Sequence, residues 1–385
     1  MEFDEYREAM VAQLLERGEV SERVAEAFRL VPRHRFLSDF DPEAAYRDEP
    51  IVTKRDAEGR PISSSSQPAI MGIMLDQLDV RPGHRVLEIG AGTGYNAALL
   101  AHLAGPEGRV VSVDIDADVV AAARRHLDAA AYPEVTVECA DGAAGHPEAA
   151  PYDRVIATVG VWDLAPAWLE QLAPGGRLVV PLDLRGVQVS VAMEYTGGHW
   201  SSRSVEPCGF MRMRGPSAGP EVTLMLDGDA DLVLTLPEPR EVGDVLAMLD
   251  EPVAEVAADG MAPLPRLSLM GGGVGLWLAL HEPRWGSLTG RLRWAPVTTH
   301  GYGMTVGIVG RDGLAVLAAD EELRARGFGP GGAALAADLI AHVQAWDAAG
   351  RPEACDLRID AYLGPAPEGA AVIAKRHTRL VLSYD

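Results

Sequence analysis

Cysteine is rare in this sequence: Cys139, Cys208 and Cys355 are the three in 385 residues, far apart and without a C-x-x-C pair. That pattern excludes a disulfide framework and offers no zinc-ligand spacing, so no metal is expected. Lysine is scarcer still, with only Lys54 and Lys375, and every other base is arginine. That scarcity reads as compositional bias. No Lys/Arg run of the size a nucleic-acid patch needs is present, and the net charge is −22. The acid is spread along the chain: residues 1–214 carry 33 acids against 21 bases, and residues 215–385 carry 23 against 13. Both parts would repel a phosphate backbone, which excludes nucleic acid as an expected partner. No apolar run approaches the ~18 residues of a membrane helix. The start, Met1-Glu2-Phe3-Asp4-Glu5, is acidic where a signal peptide is basic. The expectation is a cytoplasmic protein without a membrane partner, and a monomer.

What is present begins with Val86-Leu87-Glu88-Ile89-Gly90-Ala91-Gly92-Thr93-Gly94-Tyr95. A buried strand runs into a glycine turn, and the apolar stretch Ala97–Leu103 continues as a helix. A second strand, Val110–Val113, then ends in Asp114. A glycine turn at a strand end lets a ligand approach the backbone, and an acid at the next strand tip can grip a ribose diol. The third glycine comes too early for the G-x-G-x-x-G of a pyrophosphate site. Glu88 would repel a pyrophosphate but suits a cation or an ammonium group. S-adenosylmethionine carries a sulfonium, an ammonium and a ribose, and no phosphate, so it is the ligand this turn fits.

The following segments agree. Val135–Cys139 leads to Asp141-Gly142, Tyr152–Thr158 reads as a fourth strand, Trp168–Leu172 as a short helix, and Arg177–Leu182 as a fifth strand. Strands alternating with helices predict an α/β, doubly wound, Rossmann-like domain. Before it, residues 4–31 show helical spacing with Ser21 as an N-cap, residues 38–63 read as loop, and Ser63–Pro68 opens a helix. After it, Gly215–Pro220 has linker composition. Beyond that linker, strands are predicted at Val222–Leu226, Leu232–Leu236, Val274–Leu280, Met304–Ile308, Leu314–Leu317, Leu357–Leu363 and Thr378–Ser383. Helices are predicted at Glu241–Leu249 and Ala333–Trp346. Three regions result: 1–79 as helical cap and serine loop, 80–214 as cofactor domain, and 215–385 as an α+β domain. Gly271-Gly272-Gly273 lacks the following Lys-Ser or Lys-Thr of a phosphate loop and reads as a β-turn.

Residues 1–214 resemble the protein-L-isoaspartate (D-aspartate) O-methyltransferase family. The resemblance rests on Val31-Pro32-Arg33 and the helices before it, on Ser64, Ser66, Gln67 and Pro68, and on the Glu88–Tyr95 turn. It continues through Asp114, Asp141-Gly142, Pro151-Tyr152-Asp153 and Leu172–Leu178. It implies an enzyme that uses S-adenosylmethionine, releases S-adenosylhomocysteine and methylates carboxylates. The implied cofactor residues are Gln67, Glu88, Gly90, Ala91, Gly92, Gly94, Tyr95, Asp114, Ile115, Asp141 and Gly142. Ser66, with Ser64 and Ser65 beside it, is the implied catalytic group. The serine run and Val161-Trp162-Asp163 look more like the branch associated with ribosomally made, modified peptides. That likeness implies that Ser66, Val161 and Trp162 touch an aspartate-containing precursor peptide, such as a lanthipeptide or graspetide, whose ester collapses to succinimide or isoaspartate. Repair of isoaspartyl residues in damaged proteins is the alternative. Repair enzymes end near the last strand of the cofactor domain, whereas this chain adds about 170 residues of no recognisable likeness. That added part is expected to recognise the peptide, as one wall of a groove facing Ser66 and Trp162.

The chemistry asks little of the protein. A carboxyl with a pKa of ~3.9 is already ionised at neutral pH, so no general base is required. Alignment and one or two hydrogen bonds to the desolvated carboxylate are what the chain must supply. Ser66 is the expected donor, with the N-terminus of the helix after it adding favourable partial charge.

Overall fold

The computed structural model describes residues 2–57, 59–226, 232–249, 252–258, 271–292, 294–299, 302–319, 323–368 and 372–384. The chain opens with three helices: α1 (Glu2–Glu16), α2 (Glu22–Leu30) and α3 (Pro42–Tyr46). Ser21 caps α2 by accepting from the Val24 amide at 3.3 Å, and the buried Val24, Ala27 and Phe28 form the face predicted from helical spacing. Residues 38–63, read as loop, instead hold a hairpin of β1 (Ile51–Arg55) and β2 (Pro61–Ser65). Its strands are half-buried and irregular in register, so the sequence shows no apolar alternation to mark them. Helix α4 (Pro68–Leu78) follows at once.

The alternating segments then build a parallel sheet from β3 (Arg85–Ile89), β4 (Arg109–Asp114), β5 (Thr136–Cys139), β6 (Tyr152–Ala157) and β7 (Leu172–Leu184), linked by α5 (Tyr95–Ala104), α6 (Ala117–Ala129) and α7 (Pro166–Gln171). Antiparallel strands β8 (Val187–Thr196) and β9 (His199–Cys208) extend it. The order β5-β4-β3-β6-β7-β8-β9 reverses direction at β3. In such sheets the crevice beyond the carboxyl ends at the reversal takes the ligand. The doubly wound, Rossmann-like architecture predicted from the sequence is therefore present.

A second sheet follows, antiparallel in every described pairing. It comprises β10 (Val222–Met225), β11 (Leu232–Leu236), β12 (Ala254–Ala257), β13 (Trp285–Gly290), β14 (Val297–Thr299), β15 (Tyr302–Val309), β16 (Leu314–Ala319) and β17 (Leu323–Phe328). Its helices are the single turn α8 (Val245–Met248), α9 (Val274–His281) and α10 (Gly332–Ala348). Val274–Leu280, predicted as a strand, is α9. It packs against β7, β8, β13 and α10, and a run apolar on every side carries no period that separates a buried helix from a buried strand. The Gly271–Gly273 turn accordingly leads into a helix and does not join two strands.

The chain then returns to the first sheet. Strands β18 (Leu357–Tyr362), β19 (Val372–Ala374) and β20 (Arg379–Tyr384) continue it beyond β9, with Asp360 opposite Ser201 and Ala361 opposite Trp200. Residue 214 is thus not the edge of the central sheet, and 215–385 is not a wholly separate module. A common apolar core joins Leu178, Val180 and Trp168 to Trp285, Ile308, Leu339 and Ile359. Among the described residues no helix is long and apolar enough to cross a membrane.

Candidate active site

The glycine turn is shaped by β3 and β6. Gly90 has φ 102°, and a Cβ there would stand 2.8 Å from Thr158 Oγ1 and 3.0 Å from Val159 Cγ1. Only glycine fits this close approach. Thr158 Oγ1 donates to the Gly90 carbonyl at 2.7 Å, fixing the turn on the end of β6. Asp114, at the tip of β4, accepts from the Gly92 amide at 3.3 Å and the Asp116 amide at 3.1 Å. Asp141 accepts from the Ala143 amide at 3.0 Å, and Trp168 Nε1 donates to the Gly142 carbonyl at 2.7 Å. The serine strand β2 passes over this turn: a Cβ on Gly92 would lie 3.6 Å from the Ser64 carbonyl.

These pieces enclose one cavity of about 770 Å³. Ser64, Ser65, Ser66, Gln67, Gly90, Ala91, Gly92, Tyr95, Asp114, Ile115, Asp141 and Gly142 all line it. The charged side chains on its wall are Asp114, Asp141, Arg212 and Arg214. Glycine backbone beside two strand-end acids suits a ribose, an adenine amino group and a cationic methionine moiety, and the cradle at Gly90 would be filled by any side chain. The residues present fit S-adenosylmethionine.

Several expected residues stand elsewhere. Glu88 is fully buried and does not line the cavity. Its carboxylate accepts from Asn96 Nδ2 at 2.7 Å and Ser112 Oγ at 2.5 Å. It therefore braces β4 and α5 around the turn instead of meeting an ammonium group. Gly94 also lies behind the wall, where a Cβ would press on Ala123 and Leu127 of α6. Tyr95 lines the cavity, but its ring is buried between Phe36, 5.4 Å away, and the Arg33 guanidinium, 5.5 Å away. Val161 is 1% exposed and pairs with Pro181 and Asp183. Trp162 sits outside the cavity, with Lys375 Nζ 5.3 Å and the Arg376 guanidinium 5.8 Å from its ring. Neither residue faces Ser66. The turn between β19 and β20 covers their loop, with Thr378 Oγ1 donating to Asp163 at 2.6 Å. Because β20 joins from far along the chain, local sequence could not show that contact.

The N-terminus of α4 is not free for an anion. Asp48 already accepts from the Ala69 amide at 2.9 Å and from Gln67 Nε2 at 3.1 Å, so its carboxylate occupies the positive end of the helix dipole. Sequence reasoning missed this, together with the role of Arg33. Arg33 is fully buried and donates from Nη1 to the Ser66 carbonyl at 2.8 Å. Burial pulls its guanidinium down to about 10. An arginine directly after two helices that bury their apolar faces was the available signal. Lys54 ties the β1–β2 hairpin to Asp116 at 2.8 Å, and Lys375 holds the Asp183 carbonyl at 2.8 Å. Both lysines thus stand at tertiary joints.

Burial pushes the Glu88 carboxyl up to about 7, with Asp114 adding to the rise and the Ser112 and Asn96 hydrogen bonds opposing it. Between the ordinary 4.5 and about 7 the folded chain binds more protons than the unfolded chain. Stability therefore falls as pH rises through that window, by about 3 kcal/mol in total. Glu88→Gln should remove this slope. Urea unfolding of both proteins at several pH values from 5 to 8 checks it (about 1.4 kcal/mol per pH unit at the steepest), and parallel curves would contradict it.

Comparison with known proteins adds the following. The family model described as protein-L-isoaspartate (D-aspartate) O-methyltransferase matches residues 5–217. A protein-L-isoaspartate O-methyltransferase of Methanopyrus kandleri is 40% identical over 216 residues, 55% of this chain and 93% of that protein. One of Hyperthermus butylicus is 36% identical over 223 residues, 55% of this chain and 90% of that protein. A solved structure titled protein-L-isoaspartate O-methyltransferase aligns with a TM-score of 0.54 at 25% identity, covering 92% of this chain and 96% of its own. The added C-terminal part therefore does not set this chain apart from proteins of that name.

Proposed function

The chain belongs to the protein-L-isoaspartate (D-aspartate) O-methyltransferase family, whose members are S-adenosylmethionine-dependent protein carboxyl O-methyltransferases, and on that premise we propose that it methylates isoaspartyl residues of damaged proteins. The observation that carries this reading is the extent of the likeness: the solved structure of that name matches this chain along 92% of its length. The added part was the main argument for a dedicated precursor peptide, and that likeness removes it. Isoaspartyl repair, the alternative at the level of sequence, becomes the leading reading.

S-adenosylmethionine, when bound, supplies an electrophilic methyl group on a positive sulfur. The chain supplies position. Asp114 accepts the ribose hydroxyls, while Asp141 and Gly142, with Ile115 beside them, take the adenine. The Gly90–Gly92 backbone lets the methionine moiety lie close. The Ser66 hydroxyl donates to the substrate carboxylate, and Arg33, through the Ser66 carbonyl, holds that hydroxyl in place. The carboxylate is ionised at neutral pH, so no base acts on it, and the reaction depends on alignment at ~3 Å. The ester then makes methoxide a leaving group. The following backbone nitrogen attacks the ester carbonyl, methanol departs, and a succinimide forms that water opens to aspartate or isoaspartate.

Repair has a direct signature. A peptide with one isoaspartyl residue, incubated with enzyme and S-adenosylmethionine, should progressively yield its ordinary aspartyl isomer, resolved by chromatography and mass spectrometry. Persistence of the isoaspartyl form with no ester detected contradicts the proposal.

A further inference from the structure

We propose that the part of the cavity formed by the second sheet is a subsite for a bulky apolar side chain adjacent to the isoaspartyl residue of the protein substrate; this rests on the reading just given. All four charged side chains that line the cavity, Asp114, Asp141, Arg212 and Arg214, lie on the cofactor domain and the strap that leaves it. The second sheet contributes Trp285, Ser287, Met304 and Val306, and none of them carries charge. One charged side chain, Arg212, comes near this wall, donating to the Gly186 carbonyl at 3.3 Å, but its guanidinium is already paired with Asp183 at 2.7 Å and with Glu221. In a chain of net charge −22, a stretch of cavity wall without a charged side chain of its own is a chemical statement about what sits there.

The wall is built by register. Ser287 pairs with Val306 and Trp285 with Ile308 across β13 and β15. Directly opposed residues of an antiparallel pair share a face, so Trp285, Ser287 and Val306 are presented together. The wall is also fixed to the cofactor domain. Trp285 Nε1 donates to the Arg185 carbonyl at 2.7 Å. Its ring packs on Gly186, where a Cβ would stand 2.9 Å from Trp285 Cζ2. Arg185 and Gly186 form the β7–β8 turn, so the wall cannot shift independently of the central sheet. Among the polar side chains nearby, Gln188 has its amide closed on the Phe210 backbone, at 2.8 Å to the amide and 3.1 Å to the carbonyl. It is committed internally and leaves the surface apolar in character.

Ser66 lines the same cavity. In the proposed subsite, the side chain beside the isoaspartate lies on this wall when the substrate carboxylate is at Ser66. Leucine, methionine or phenylalanine would be desolvated there with gain, whereas lysine or glutamate would lose hydration without a partner.

The test uses the full chain and isoaspartyl peptides differing only in the residue before or after the isoaspartate. Leucine or phenylalanine at one of these positions should raise kcat/KM about tenfold to a hundredfold over glycine, as expected for filling an apolar pocket, and lysine or glutamate should fall below glycine. Ser287→Glu should abolish the apolar preference and favour a lysine neighbour, with S-adenosylmethionine affinity retained as the check on folding. Met304→Ala should narrow the gap between leucine and glycine. Equal kcat/KM across all neighbours for the native enzyme overturns the subsite while leaving the repair reading intact. An unchanged ranking in a folded Ser287→Glu protein also overturns it. If no isoaspartyl peptide is methylated, the repair reading falls and the subsite falls with it.

Discussion

Asp114→Ala is expected to weaken S-adenosylmethionine binding by about a hundredfold or more. Asp114 stands at the tip of β4, lines the cavity and has its oxygens oriented by the Gly92 and Asp116 amides at 3.3 and 3.1 Å. A carboxylate oxygen has two acceptor sites, so each can still receive a ribose hydroxyl. Hydrogen bonds to a charged group contribute about 1.5–3 kcal/mol each, and alanine removes two. It also releases the Gly92 amide and loosens the turn. Calorimetry with S-adenosylhomocysteine measures the loss directly. Asp114→Asn keeps the shape and one acceptor and should fall between. Unchanged affinity in Asp114→Ala would place the ribose elsewhere.

Ser66→Ala should lower kcat by about tenfold to a thousandfold, the range for deleting one donor to a reacting oxyanion, with cofactor affinity little changed. Ser66 is half-buried on the cavity wall, and its carbonyl is held by the buried Arg33 at 2.8 Å. The competing donor is Ser65, which is 4% exposed and whose Oγ has no hydrogen-bond partner among the described residues. Single-turnover rates of Ser65→Ala and Ser66→Ala, measured side by side, decide between them. A large loss only in Ser65→Ala would move the donor role one residue back.

The cofactor half of the site was legible because its signals are local. Val86–Tyr95 carries strand, turn and helix in one stretch, and Asp114 and Asp141 each follow a short apolar strand. A strand-end acid beside a glycine turn brings the same groups to the cavity wall wherever the rest of the chain goes. Glu88 shows where such reading fails: its type and position point toward a cation, but burial against Ser112 and Asn96 is a tertiary fact. Trp162 failed for a related reason. The side chains that cover it, Lys375 and Arg376, come from more than 200 residues later. The return of β18–β20 to the central sheet is invisible to periodicity, which sees strands but not partners. Helix α9 lay beyond it too, since the apolar run Val274–Leu280 has no polar face to reveal its turn.

The central claim, methyl transfer to isoaspartyl carboxylate, is tested most directly by paired peptides of identical sequence, one with isoaspartate and one with ordinary aspartate. Each is incubated with enzyme and S-adenosylmethionine carrying a labelled methyl group, and initial rates of base-labile ester are compared. Efficient labelling of the isoaspartyl peptide, with little or none on its aspartyl twin, is the predicted result. Labelling of the aspartyl peptide with the isoaspartyl one left untouched would contradict it.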